Sequence, residues 1–272
     1  MTSPHTAPER LLVLGGCFAR HHDVLQSMVL LRGPDPAGTL AQHIRSTQAL
    51  AQEALEVSTA VRTMPMLCHT SDIRAVMERA TQLAALATLA ADHLLDAVDI
   101  LQTAAPAHHE RGKTPVVHQG AVLLEAGRRT TLAGRLTSLG AEDCLTASGL
   151  LARELYRQHV GPDRRPPTLT PAQRAALESV AAGHVTLTGL LDKTYVRRGH
   201  ARITITTLRA LQDRSLVSRE PSPHTLHGER IHLTSDGCRA LAALLAQPRN
   251  ARPTAMRSQT APAVSATRAA AR

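Results

Sequence analysis

The chain has 272 residues, 43% of them hydrophobic, which is long enough to bury one or two cores. Only 1% are aromatic, namely Phe18, Tyr156 and Tyr195. The core must therefore be built from Leu, Val, Ile and Ala, and the scarcity of rings argues against single-strand nucleic-acid binding by base stacking. The net charge of +9 is unevenly placed: residues 1–161 hold 14 basic and 15 acidic side chains, residues 162–246 hold 12 against 7, and residues 247–272 hold five Arg and no acid. A neutral N-terminal part joined to a basic C-terminal one is the electrostatic footprint of a nucleic-acid module, or else a solvated basic face.

Residues 1–36 are weakly patterned. Leu11-Leu12-Val13-Leu14 before Gly15-Gly16 is a possible short strand, but the following residues lack the G-x-G-x-x-G spacing of a pyrophosphate turn. The run is also too short for a signal peptide, and nowhere do about 18 apolar residues follow one another, so no membrane span and a cytoplasmic location are expected. The four cysteines, Cys17, Cys68, Cys144 and Cys238, form no C-x-x-C pair, which argues against structural zinc and for reduced thiols.

Leu40, Ile44, Ala51, Leu55 and Val61 recur at helical steps and predict a helix over 37–64. A second helix is expected from Ser71, read as its N-cap, to Thr103. Its stripe of Ile73, Met77, Ala80, Leu83, Ala87, Leu94, Val98 and Leu101 is widened by Leu86, Leu89 and Leu95, enough to lie between neighbours or to pair with a second subunit. Asp92, Asp96 and Asp99 share its opposite, solvated face. Residues 108–113 read as a polar loop. Gly120, Gly127 and Gly134 weaken a helical reading of 116–138, whereas 141–159 is a clearer helix. Residues 37–160 thus form a helical domain, expected to mediate homodimerisation or to bind a partner or ligand. Gly- and Pro-containing residues 161–168 form a linker, and 247–272 a disordered basic tail.

Beyond the linker, Thr170-Pro171-Ala172-Gln173 is a capping box with Pro at the first helical position, opening a helix that ends at Gly183. The alternating segments 184–188 and 193–197 predict a β-hairpin. Thr204 can cap a further helix with Ile205, Leu208 and Leu211 inward and Thr206, Thr207, Arg209 and Gln212 mostly outward. Residues 216–219 and 227–233 read as paired strands around a loop containing Pro221 and Pro223, and Thr234-Ser235-Asp236-Gly237 caps a last helix through Leu245.

The order of these segments, with Ile205-Thr206-Thr207-Leu208-Arg209-Ala210-Leu211, then Ser215-Leu216-Val217-Ser218-Arg219, then Arg230-Ile231-His232-Leu233-Thr234-Ser235-Asp236-Gly237, resembles the winged helix-turn-helix domain of bacterial regulators, including the MarR-like group. The resemblance spans residues 169–246, and the hairpin at 185–197 stands where the family usually has a second helix. It implies a mainly α protein, with an N-terminal helical domain and a C-terminal α+β winged-helix domain that binds double-stranded DNA and regulates transcription. Residues 201–214 would be the recognition helix in the major groove and 218–232 the wing on the backbone. The DNA-contacting residues would be Arg197, Arg198, Arg202, Thr204, Thr206, Thr207, Arg209, Gln212, Arg214, His227 and Arg230. The alternative is a winged helix used for protein–protein contact without DNA.

No catalytic set is evident: there is no G-x-S-x-G, no H-E-x-x-H and no phosphate loop, so an enzyme is not expected. No cofactor or metal is expected either. The adjacent histidines His21-His22 and His108-His109 diverge along a regular element, and neither pair has a carboxylate at ligand spacing.

Overall fold

A computed structural model describes residues 5–28, 35–64, 70–103, 116–159, 167–190, 193–197, 203–222 and 228–247. The protein is mainly helical with a small antiparallel sheet. Its elements run α1 (Ala7–Ser27), α2 (Pro36–Arg62), α3 (Ser71–Thr103), α4 (Val116–Arg157), α5 (Pro171–Ala181), β1 (Thr186–Leu190), β2 (Lys193–Arg197), α6 (Ile205–Asp213), β3 (Val217–Pro221), β4 (Gly228–Leu233) and α7 (Ser235–Ala246).

Residues 5–28 do not hold a strand. Residues 11–16 lie inside α1, a 21-residue helix opened by a capping box between Thr6 and Glu9. Both glycines are tolerated because α1 is buried on several sides. Leu11, Leu14 and Phe18 enter one core, while the neighbouring Leu12 enters another. The span 116–138 is also helical: α4 runs unbroken for 42 residues. Gly140 of α4 and Gly15 of α1 serve close approach, whereas a Cβ at Gly120 or Gly127 would meet nothing within 4 Å. A Cβ at Gly140 would lie 2.2 Å from the Phe18 ring, and one at Gly15 would lie 3.1 Å from Cys144 Cβ.

Helices α1 to α4 pack as a four-helix bundle in which α4 contacts α1 and α3, and α2 contacts α3 and α1. Ion pairs Arg79–Asp143 (2.7 Å), Arg129–Asp96 (2.8 Å) and Arg157–Asp72 place α3 antiparallel to α4. Helices α2 and α3 lie where their periodicity predicts. The N-cap of α3 is Thr70, however, whose hydroxyl accepts from the Ile73 amide at 3.3 Å, and Ser71 is already the first helical residue. The expected wide stripe on α3 is narrower too: Leu86 is buried, but Leu89 and Leu95 are exposed.

In the C-terminal part the four strands are ordered β2-β1-β4-β3, all antiparallel. The Thr170 capping box forms as expected, and Gly183, at φ +73°, provides the left-handed residue after α5. Thr234 caps α7 by accepting from the Gly237 amide. Leu177, Leu187, Leu208, Leu211, Ile231 and Leu241 form the core beneath the sheet, and Leu12 of α1 and Ala152 of α4 complete it. Residues 161–166 of the expected linker 161–168, the expected polar loop 108–113 and residues 248–272 of the expected tail lie outside the described residues.

Candidate functional site

Helix α6 is shorter than the expected 201–214. Thr204 is its N-cap, and its hydroxyl accepts from the Thr207 amide at 3.2 Å. Leu208 and Leu211 point inward, while Ile205 is half-buried. The helix packs on α5, β2 and β3. Thr206, Arg209 and Gln212 are exposed, and Thr207 is half-buried. The three threonine hydroxyls form one cluster, with Thr204 Oγ1 2.8 Å from Thr206 Oγ1 and 2.9 Å from Thr207 Oγ1. A hydroxyl holds one donor and two lone pairs, so this cluster keeps spare acceptor capacity toward solvent.

The β3–β4 ribbon stands beside α6 and is tied to it. Arg219 Nε of β3 donates to Gln212 Oε1 at 2.9 Å, and Arg219 also faces Glu229 of β4 at 3.5 Å. The ladder pairs Val217 with Leu233 through Pro221 with Glu229. At the other end of α6, Arg214 is exposed, and its guanidinium donates to the Thr168 carbonyl at 2.8 Å, which fastens the helix to the segment before α5. Ser215 takes φ +56°, and the Leu216 amide closes the helix on the Leu211 carbonyl.

Of the expected contact residues, Thr204, Thr206, Thr207, Arg209 and Gln212 are thus brought together on one short helix. Arg214 is partly engaged in holding the fold. Arg198, Arg202 and His227 lie outside the described residues, and the Arg197 side chain is likewise not described, its backbone lying on β2. Arg230 departs from expectation. It is 7% exposed and turned inward, its guanidinium paired with both carboxylate oxygens of Asp23 of α1 and donating to the Gly183 carbonyl. Ser222 donates to Asp23 as well, at 3.3 Å. The physical reason is the pleat: Arg230 lies on the face of β4 that α1 covers, and an arginine buried there needs a carboxylate. Arg219, which points outward beside Gln212, is the residue that sequence reasoning passed over.

A second polar cluster surrounds the first. His232 of β4, 5% exposed, contacts Glu220 at 3.2 Å, and Glu220 faces Arg20 of α1 at 3.5 Å. Burial lowers the His232 pKa to about 4, with Glu220 pulling the other way. In the bundle, His21 bonds Thr47 at 2.7 Å, and burial and the neighbouring His43 push its pKa to about 4. His22 donates to the Gly134 carbonyl at 2.7 Å, so the two adjacent histidines point into different interactions. Among the described residues no group of three or more His, Cys, Asp or Glu could hold a metal ion, and no helix is long and apolar enough to cross a membrane. Residues 108–110 lie outside the described residues.

No family model, curated protein or solved structure matches the chain.

Proposed function

We propose that the chain is a sequence-specific double-stranded DNA-binding protein of the bacterial transcription-regulator type, with a C-terminal winged helix attached to an N-terminal helical domain. In this reading α6 enters the major groove and β3–β4 is the wing on the backbone. The observation that carries it is the outward row of Thr206, Arg209 and Gln212 on a helix whose inward Leu208 and Leu211 are anchored in the C-terminal core, next to a two-stranded ribbon. An α-helix about 10–12 Å across fits a groove about 12 Å wide, where short hydroxyls reach phosphates or bases and an arginine can bond guanine at two atoms. The basic excess of residues 162–272 supports the same reading. Two copies pair through the helical domain, where Leu89, Leu132 and Leu139 remain exposed, and read two half-sites about one helical turn apart.

The test is selection of bound sites from a random duplex pool, followed by salt-titrated binding to the selected site. If about six arginines neutralise phosphates, log affinity falls against log salt with a slope of roughly −5. Thr207→Ala with Arg209→Ala weakens the selected site by tenfold or more, at about 1–3 kcal/mol per base contact, and leaves random duplex nearly unchanged. Absence of duplex binding at low salt would sink the proposal and leave the winged helix as a protein-contact module.

A further inference from the structure

Between α1 and the C-terminal part lies a cavity of about 190 Å³, bounded by α1, the end of α5, β4 and the start of α7. Leu12, Val13, Val180, Ile231 and Leu233 supply its apolar wall. Gly16 of α1 lines it as well, and a Cβ placed there would meet nothing within 4 Å, so the space continues directly over the helix backbone. A cavity of about 150 Å³ with apolar walls holds a benzene-sized molecule. This one therefore takes roughly eight non-hydrogen atoms by the same proportion.

Arg20 is the one fully charged side chain among the described lining residues, which include no Asp or Glu. His5 and His232 also line the cavity and face Glu9 and Glu220 beside it, and the uncharged Thr234, Ser235 and Cys238 complete its polar lining. Arg20 is the half-exposed cation of the set. Its side chain is 46% exposed, and its contact with Glu220 is a half-exposed pair at 3.5 Å. Such pairs hold weakly, and a guanidinium has five N–H donors, so Arg20 can turn toward an anionic head while keeping a contact with Glu220.

We infer that this cavity is a binding site for a small monocarboxylic acid with an apolar tail, the tail lying against Leu12, Ile231 and Gly16 and the carboxylate meeting Arg20. The site does not depend on DNA binding and can be tested without it. An occupant lies against β4 and α1 together, across the same boundary as the Asp23–Arg230 pair.

The experiment titrates hexanoate, and its neutral isostere hexanamide, into the full chain carrying 13C-labelled Leu, Val and Ile methyls. Hexanoate is expected to shift the methyls of Leu12, Val13, Val180, Ile231 and Leu233 saturably, while those of Leu83 and Leu94 in the bundle stay in place and report an intact fold. Hexanoate should bind at least tenfold more tightly than hexanamide, and Arg20→Gln should remove that preference without altering hexanamide affinity. Gly16→Leu should abolish binding of both by filling the space, and Gly16→Ala, the milder variant, should weaken it. No saturable shift up to about 10 mM hexanoate overturns the inference, since that limit corresponds to negligible affinity. Equal affinity for acid and amide overturns the ligand class, and unchanged binding to a folded Gly16→Leu protein overturns the site.

Discussion

Asp23 and Arg230 are buried charges that survive only as a pair. Their side chains are 4% and 8% exposed, and the guanidinium also holds the Gly183 carbonyl. Removing one partner strands the other in an apolar interior, at a cost of about 3–5 kcal/mol. Asp23→Ala should therefore lower unfolding stability by that order in a denaturant titration, whereas Asp23→Leu combined with Arg230→Met should recover most of the loss. An Asp23→Ala protein of unchanged stability would mean the carboxylate is not the partner of Arg230. The buried histidines set a second residue-scale expectation. His21 and His232 each have a folded pKa of about 4 against 6.5 for an ordinary histidine. Between those values the unfolded chain binds the protons and the folded chain does not, so these residues disfavour folding progressively as pH falls from 6.5 to 4. Denaturation midpoints taken at pH 7 and pH 5 should fall at the lower pH, and His21→Gln or His232→Gln should each reduce the difference. Neither the pair nor the low pKa values could be read from the sequence. Asp23 and Arg230 are 207 positions apart, and nothing in either neighbourhood marks its partner.

Elements were legible where a local rule fixes them. The Thr170-Pro171 box, the Thr204 and Thr234 caps and the periodicity of α2 and α3 are short-range signals; the structure keeps the caps and both helices, but Leu55, Leu89 and Leu95 of the expected stripes are exposed. The candidate site shares this property, since α6 and the ribbon follow from caps and alternation within some thirty residues. Helix α1 and the first half of α4 were not legible because their glycines read as helix breakers. Their real pattern is a seven-residue spacing on two antiparallel helices. Pro8 faces Ser148, whose Oγ donates to the Pro8 carbonyl at 2.9 Å, and His22 faces the Gly134 carbonyl at 2.7 Å; between them Gly15 faces Ala141, where a Cβ added to the glycine would lie 3.4 Å from the Ala141 carbonyl oxygen. Gly15, Gly134, Ala141 and Ser148 at those steps let the backbones close together, and a rule that scores each glycine alone cannot see it. The two kinds of glycine in α4 can be told apart by substitution. Gly140→Ala drives a methyl into the Phe18 ring and should destabilise by about 1–3 kcal/mol. Gly127→Ala enters open space and should stabilise by about 0.5–1 kcal/mol. Thermal unfolding of the two variants reads both signs, and matching signs would contradict the packing of α1 on α4.

At the scale of the whole molecule, charge and composition divide the chain at residues 161–168, but the apolar cores do not divide there. Leu12 and Ala152 belong to the core of the C-terminal part, and Val13 and Leu145 pack against it, while Leu11, Leu14 and Leu151, one turn or less away, belong to the bundle. Helix α1 is thus the shared wall of both, and α7 packs on α1 and α4 as well as on α5 and β4. A C-terminal fragment of residues 167–247 would lose the cover over Leu241, Leu245 and Ile231 and would leave Arg230 without Asp23. Summed, these losses reach the size of a domain's net stability, which is only about 5–15 kcal/mol. The fragment should accordingly show poor amide dispersion and no cooperative melt. In the intact chain, hydrogen exchange of the deepest amides of α3 and of β4 should report the same opening free energy, because the shared helix cannot leave one core without exposing the other. A well-dispersed fragment spectrum, or β4 amides exchanging far faster than those of α3, would show that the boundary seen in charge is also a boundary in folding, and that α1 merely rests on a part able to stand without it.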